Sequence, residues 1–149
     1  MLFRSFEVKE RCVFCDIVRD ELRDGRRVIQ ENADIVALAP YAPRFAFETW
    51  LLPKQHGARF EEAPRHVGES LARLLKPVLQ RLDRTVEMPP FNLVVHTAPS
   101  AEDVRDTYHW HIEIMPRLTR VAGFEWGTGF YINPTSPEEA AKVLRSVRL

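Results

Sequence analysis

The segment HWHIEIM at 109–115 limits what this chain can fold into more than any other stretch. A β-strand sends alternate side chains to opposite faces, so Trp110, Ile112 and Ile114 point one way and His109, His111 and Glu113 the other. The second set forms a row with roughly 6–7 Å between neighbours. A solvated sheet face more often carries Lys, Thr or Ser. Two histidines and a glutamate opposite an apolar row therefore predict a strand with a core on one side and a site on the other.

The rest of the chain supplies partners for that strand. Val13, Phe14, Ile17, Val18 and Leu22 recur at helical spacing before the turn signal Asp24-Gly25, so a short helix is expected over 13–22. Arg27–Gln30 and Asp34–Ala39 read as a hairpin around Glu31-Asn32, and Phe47–Leu52 as a third strand. Pro40 and Pro43 exclude ladder bonding between them, which makes PYAPRF a loop. Val67, Leu71, Leu74, Leu75, Val78, Leu79 and Leu82 form an apolar stripe opposite Arg65, Glu69, Arg73 and Arg81, predicting a long helix from Pro64 to about Val86, with Pro77 a point of bending. Phe91–Thr97 and Tyr108–Met115 are the last two strands, joined by PSAEDVRD. Ser136, Pro137 and Glu139 form a capping box that opens a C-terminal helix through Arg145. The sum is an α+β plan in one domain, with residues 1–10 as an arm and 118–149 as a C-terminal loop and helix.

Charge and length narrow the function. Twenty-one basic residues balance 21 acidic ones, so no nucleic-acid backbone or anionic membrane is indicated as partner, and a small ligand is expected. A chain of 149 residues buries enough surface not to need a metal merely to fold. The start MLFRSFEVKER has neither the apolar run nor the cleavage site of a signal peptide, and no run is long enough for a membrane helix, which leads to an expected cytoplasmic location.

In that compartment Cys12 and Cys15 are a metal-binding or redox pair rather than a structural disulfide. A structural zinc wants four thiolate or imidazole ligands, so the pair needs two histidines. His56 ends the segment WLLPKQH directly after an apolar strand and His109 begins one; His66 sits on the polar side of the long helix, and His96 lies inside an apolar strand. Pattern alone leaves the choice open.

CVFCDI at 12–17, APRF at 42–45, LPKQH at 52–56, NLVVHT at 92–97 and HWHIEIMPR at 109–117 occur in the order found in histidine-triad nucleotide-binding proteins, and the chain resembles that superfamily along nearly its whole length. Within it, APRFAFETWLLPKQH and YHWHIEIMPRLTRVAGFEWGTGFYINP are most similar to the C-terminal half of the galactose-1-phosphate uridylyltransferase family. The resemblance implies an antiparallel sheet of about five strands with one long helix and short N- and C-terminal helices. It implies zinc held by Cys12, Cys15, His56 and His109. It also implies a nucleophile, His111, that attacks the α-phosphorus of a nucleoside diphosphate sugar and passes the nucleotide to a sugar 1-phosphate. Arg44, Lys54, Arg117 and Arg120 are the candidate phosphate-facing cations. Asn92 and Glu113 join the substrate-binding candidates, together with Phe124 and Glu125 of the glycine-punctuated segment 123–129, which also carries Trp126 and in the family binds nucleotide or a partner subunit.

Three departures bear on catalysis. Glu113 stands where the small hydrolases have a third histidine and the transferase's catalytic half has glutamine, and a carboxylate there repels an incoming phosphate. Ala39-Pro40 occupies the approximate place of the acidic residue that holds the ribose in the small hydrolases. The His-Pro-His motif of the transferase's catalytic half does not occur. Three readings result: a nucleotidyltransferase with His111 as nucleophile, a zinc-binding half that pairs with a separate N-terminal half, or a homodimeric nucleotide hydrolase.

Overall fold

The computed structural model describes residues 6, 8–101, 104–118 and 122–149. Five antiparallel strands, β1 (Val28–Glu31), β2 (Ile35–Leu38), β3 (Thr49–Pro53), β4 (Phe91–His96) and β5 (His111–Pro116), lie in the order β1-β2-β3-β5-β4. Helices α1 (Val13–Asp24), α2 (Arg65–Val86), α3 (Gly123–Thr128) and α4 (Pro137–Ser146) complete the α+β plan, with a 3-10 turn at Phe60–Glu62.

Both faces of the central strands are covered. Ile35, Ala37, Leu51, Ile112 and Ile114 pack with Leu71, Leu74 and Val78 of α2 and Leu144 of α4. On the opposite face Val36, Leu38 and Leu52 pack with Phe14 and Val18 of α1. The predicted alternation holds. Trp110, Ile112 and Ile114 lie in the α2 core, while His109, His111 and Glu113 are buried on the other side. The helix that carries the cysteine pair covers the face that carries the histidines.

Local chemistry sets the boundaries. Glycine is unnecessary in the β1–β2 turn because Asn32 Oδ1 accepts the amides of Asp34 (3.1 Å) and Ile35 (2.9 Å), an Asx turn that closes the hairpin. β3 starts at Thr49 rather than Phe47, since Phe47 takes a left-handed φ of 60° that no strand accommodates. The β5 ladder starts at His111, not Tyr108; Trp110 is instead tied to the loop after β3 through its amide and the Gly57 carbonyl (2.9 Å). α2 runs unbroken through Pro77. Segment 123–129, expected as a loop, contains α3, because Glu125 folds back to accept the Ala122 amide (2.9 Å) and Gly129 ends the turn at φ 71°. The Ser136 cap forms (3.2 Å to the Glu139 amide), while the Glu139 carboxylate lies 3.7 Å from Lys142 Nζ. Of the expected arm, residues 6 and 8–10 are described, and the Glu10 amide donates to the Phe6 carbonyl at 2.7 Å in a helical turn.

Gly25 ends α1 at φ 73°, its amide bonded to the Glu21 carbonyl at 2.8 Å. A side chain in the left-handed region costs about 1–2 kcal/mol. Gly25→Ala should lower stability by that amount in urea unfolding; an unchanged midpoint would show that the cap relaxes freely.

Candidate metal centre and histidine face

The cysteine pair opens α1, with Cys12 at the N-cap and Cys15 in the first turn. Cys15 Sγ lies 3.2 Å from His56 Nδ1 and 3.5 Å from His109 Nδ1, and Cys12 Sγ lies 4.0 Å from His109 Nδ1. One ligand atom from each of the four residues falls within 4.8 Å of all the others. Tetrahedral zinc with Zn–S near 2.3 Å and Zn–N near 2.05 Å separates sulfur from nitrogen by about 3.5 Å. The four side chains therefore fit that ion.

The outer ring nitrogens strengthen the fit. His56 Nε2 donates to the Arg105 carbonyl (2.7 Å) and His109 Nε2 to the Pro53 carbonyl (3.0 Å), which fixes both tautomers with the Nδ1 lone pair toward the sulfurs. Burial lowers the His109 pKa to about 4, so its ring is neutral near neutral pH. Burial, with the neighbouring Cys12 thiol, pushes the metal-free Cys15 up to about 12, so metal binding must displace a proton.

Next along the same face stands His111, only 4% exposed. Its Nδ1 donates to the His109 carbonyl at 2.9 Å, leaving the Nε2 lone pair 3.8 Å from Glu113 Oε1. The rings of Phe14 (centroids 4.5 Å apart) and Trp50 (5.6 Å) flank it, and His96 stacks on it at 4.5 Å and 16°. Burial lowers the His111 pKa below the ordinary histidine value. His96 reaches this position because β4 pairs with β5 in a register that sets His96 opposite His111. Its Nε2 is 3.3 Å from Glu113 Oε2, and His96, His111 and Glu113 also gather three ligand atoms within 4.8 Å.

Among the substrate-binding candidates, the structure brings Arg44 to this face. Arg44 Nη2 lies 3.3 Å from Glu113 Oε2, which offsets the carboxylate beside the nucleophile candidate. Arg44 also lines a small cavity with Glu125, whose Oε1 accepts the Ile132 amide at 3.1 Å. Lys54 instead pairs with Glu31 of β1 at 2.7 Å. Asn92 sits opposite Met115, and Arg117 follows the far end of β5, six residues and roughly 20 Å of strand from His111. Neither is gathered at His111. Phe124 is exposed, and Arg120 lies outside the described residues. His66 is exposed, as its place on the polar side of the long helix implies, with Nε2 3.8 Å from Asp34.

Sequence reasoning missed Glu48. Its buried carboxylate accepts the amides of Arg44 (2.8 Å) and Phe45 (3.2 Å) and Trp50 Nε1 (3.0 Å), and so sets both the loop that carries Arg44 and the indole beside His111. The available signal was a carboxylate inside the otherwise apolar run FAFETWLL at 45–52.

Residues 3–147 match the family model described as galactose-1-phosphate uridyl transferase, C-terminal domain. The chain belongs to that family. It is 38% identical over 146 residues to the ADP-glucose phosphorylase of Arabidopsis thaliana, an alignment that covers 97% of this chain and 40% of that protein. It is 31% identical over 152 residues to the galactose-1-phosphate uridylyltransferase of Thermotoga maritima (97% and 47%). The crystal structure of an ADP-glucose phosphorylase from Arabidopsis thaliana with bound ADP-glucose superposes with a TM-score of 0.86 at 36% identity, covering 99% of this chain and 47% of that one. A zinc-bound histidine triad family protein from Mycobacterium smegmatis shares the fold, with a TM-score of 0.62 at 21% identity, covering 91% of each chain. The uridylyltransferase C-terminal domain family thus has the histidine-triad fold here, and the chain spans less than half the length of those two curated relatives.

Proposed function

We propose that this chain is the zinc-holding unit of a nucleotidyltransferase that moves a nucleotide between a nucleoside diphosphate sugar and a sugar 1-phosphate, working in a pair with a second histidine-triad-like unit. The observation that carries the pairing is β4. It is an edge strand, yet Phe91, Leu93, Val94 and Val95 are 37–41% exposed on both of its faces. Such an edge invites a partner strand. The aromatic side chains Phe124, Trp126 and Phe130 are exposed as well, as partner-contacting aromatics are. Relatives about twice this length, named for ADP-glucose and galactose 1-phosphate chemistry, support the substrate class. Cys12, Cys15, His56 and His109 would hold the zinc, which pins the start of β5.

Two residues could supply the nucleophile: His111, or a histidine of the paired unit. The bond from His111 Nδ1 to the His109 carbonyl favours His111, because it leaves a neutral ring with its lone pair on Nε2. Its burial under Phe14 favours the paired unit. Incubation with α-32P-labelled UDP-glucose and ADP-glucose separates them. With His111 as nucleophile the chain labels by itself and His111→Asn falls to background. With the nucleophile on the partner, label appears only on mixing or co-expression with a unit bearing a His-Pro-His motif, and resides on that unit. No labelling and no exchange in any combination would end the transferase reading. Among the described residues no helix is long and apolar enough to cross a membrane, and cytoplasmic action is part of the same proposal.

A further inference from the structure

The four sulfur and nitrogen ligands are unequal in their access to solvent. Cys12 and His109 are buried, whereas Cys15 is half-buried and His56 exposed. Both thiols and His56 border an open depression lined also by Phe6, Glu10, Arg11 and Asp106. Cys12 caps α1 and Cys15 lies in its first turn, and their sulfurs are within 4.8 Å of each other. A disulfide bond brings two sulfurs to about 2.05 Å, and both thiols already face the same cluster, with two residues of chain between them. A reagent arriving from solvent thus meets Cys15 first, and the partner sulfur is already beside it.

We propose that the Cys12–Cys15 pair is a peroxide-sensitive redox switch that ejects the metal and unpins β5; this rests on the zinc site proposed above. The Cys15 thiolate attacks hydrogen peroxide, the O–O bond breaks, and sulfenic acid forms as hydroxide leaves. The Cys12 sulfur then displaces the sulfenic oxygen, forming the S–S bond and releasing a second hydroxide; solvent protons convert both to water. Two thiolates have lost two electrons and one peroxide has gained them. A disulfide is a poor zinc ligand, so the ion leaves to solvent and His56 and His109 lose their shared anchor. The consequence reaches the histidine face, because the His109 carbonyl holds His111 and the His56 ring holds the Arg105 carbonyl of the loop that leads into β5.

The test uses the whole zinc-loaded chain under hydrogen peroxide, with released zinc read by a chromophoric chelator and the covalent state by intact mass and thiol titration. The expected result is loss of one zinc per chain together with both thiols, a mass lower by two hydrogens with no dimer, and full reversal by a thiol reductant plus zinc. Zinc retained with both thiols intact overturns the proposal. So does sulfinic acid without a disulfide, or an intermolecular disulfide. Metal analysis before peroxide distinguishes the two readings: a chain that holds no zinc refutes the site itself, whereas a chain that holds zinc and keeps it under peroxide refutes only the switch. When dimedone is present while the zinc-loaded native chain meets peroxide, peptide mass should place the trapped sulfenic adduct on Cys15; an adduct on Cys12 instead would refute Cys15 as the attacking thiol.

Discussion

His109→Ala should abolish zinc binding and lower stability by about 4 kcal/mol, the scale on which loss of a metal stands out among point mutations. For a chain of this size that is roughly 8–16 °C in melting temperature. His109 has no exposed surface and makes two kinds of connection: Nδ1 faces both cysteine sulfurs, and Nε2 donates to the Pro53 carbonyl at the end of β3. The substitution removes a ligand, orphans a buried carbonyl and leaves a cavity, and all three effects have the same sign. Chelation of the native protein removes only the first. The drop on chelation should therefore be smaller than the drop in the variant, and chelator should leave the variant's melting temperature unchanged. Calorimetry with and without chelator measures both. Equal melting temperatures for native protein in the two conditions would mean that no metal supports this fold.

The histidine face was legible for a physical reason. A strand's period of two is a local property, so HWHIEIM announces its two faces without any knowledge of the partners. The amphipathic stripe of α2 and the cap at Ser136 are local in the same way. The metal quartet was only half local: the cysteines share a turn, but His56 and His109 come from 41 and 94 residues away from Cys15, and family resemblance, not spacing, named them. What stayed hidden was side-chain pairing set by register and by packing between distant elements. His96 stacks on His111 because of the β4–β5 register, and Phe14 covers the same ring because α1 lies across that face. Lys54 has the right charge for a phosphate, but the fold hands it to Glu31, a choice made by where β1 ends. Arg44, a candidate phosphate-facing cation, lies on Glu113, and the loop that carries it is held by the Glu48 carboxylate, a pairing no local pattern announces.

Those connections leave α1 held at both ends, and the second anchor gives the other large expected effect. At the N-terminal end are the two cysteines. Near the C-terminal end the Arg27 guanidinium forks onto the Glu21 carboxylate (Nε to Oε1 and Oε2 at 2.9 and 3.0 Å, Nη2 to Oε1 at 2.8 Å), reaches Glu138 of α4 (2.7 Å) and lies over the Tyr41 ring (5.2 Å). Arg27 and Glu21 retain only 13% and 6% of their side-chain exposure. Arg27→Met keeps the aliphatic volume but strands a buried carboxylate, which should cost about 3–5 kcal/mol. Adding Glu21→Leu removes the stranded charge and should recover most of the loss, because a well-packed apolar pair is about as good as a buried ion pair. A double variant no better than Arg27→Met would show that Glu21 is not the source of the penalty. The two anchors act on one helix, so their losses should not add. Hydrogen exchange of the α1 amides should rise modestly on zinc removal alone or in Arg27→Met alone, and far more than their sum when both are lost. Additive exchange would mean that the packing of Phe14 and Val18 against Val36, Leu38 and Leu52 holds α1 without either anchor.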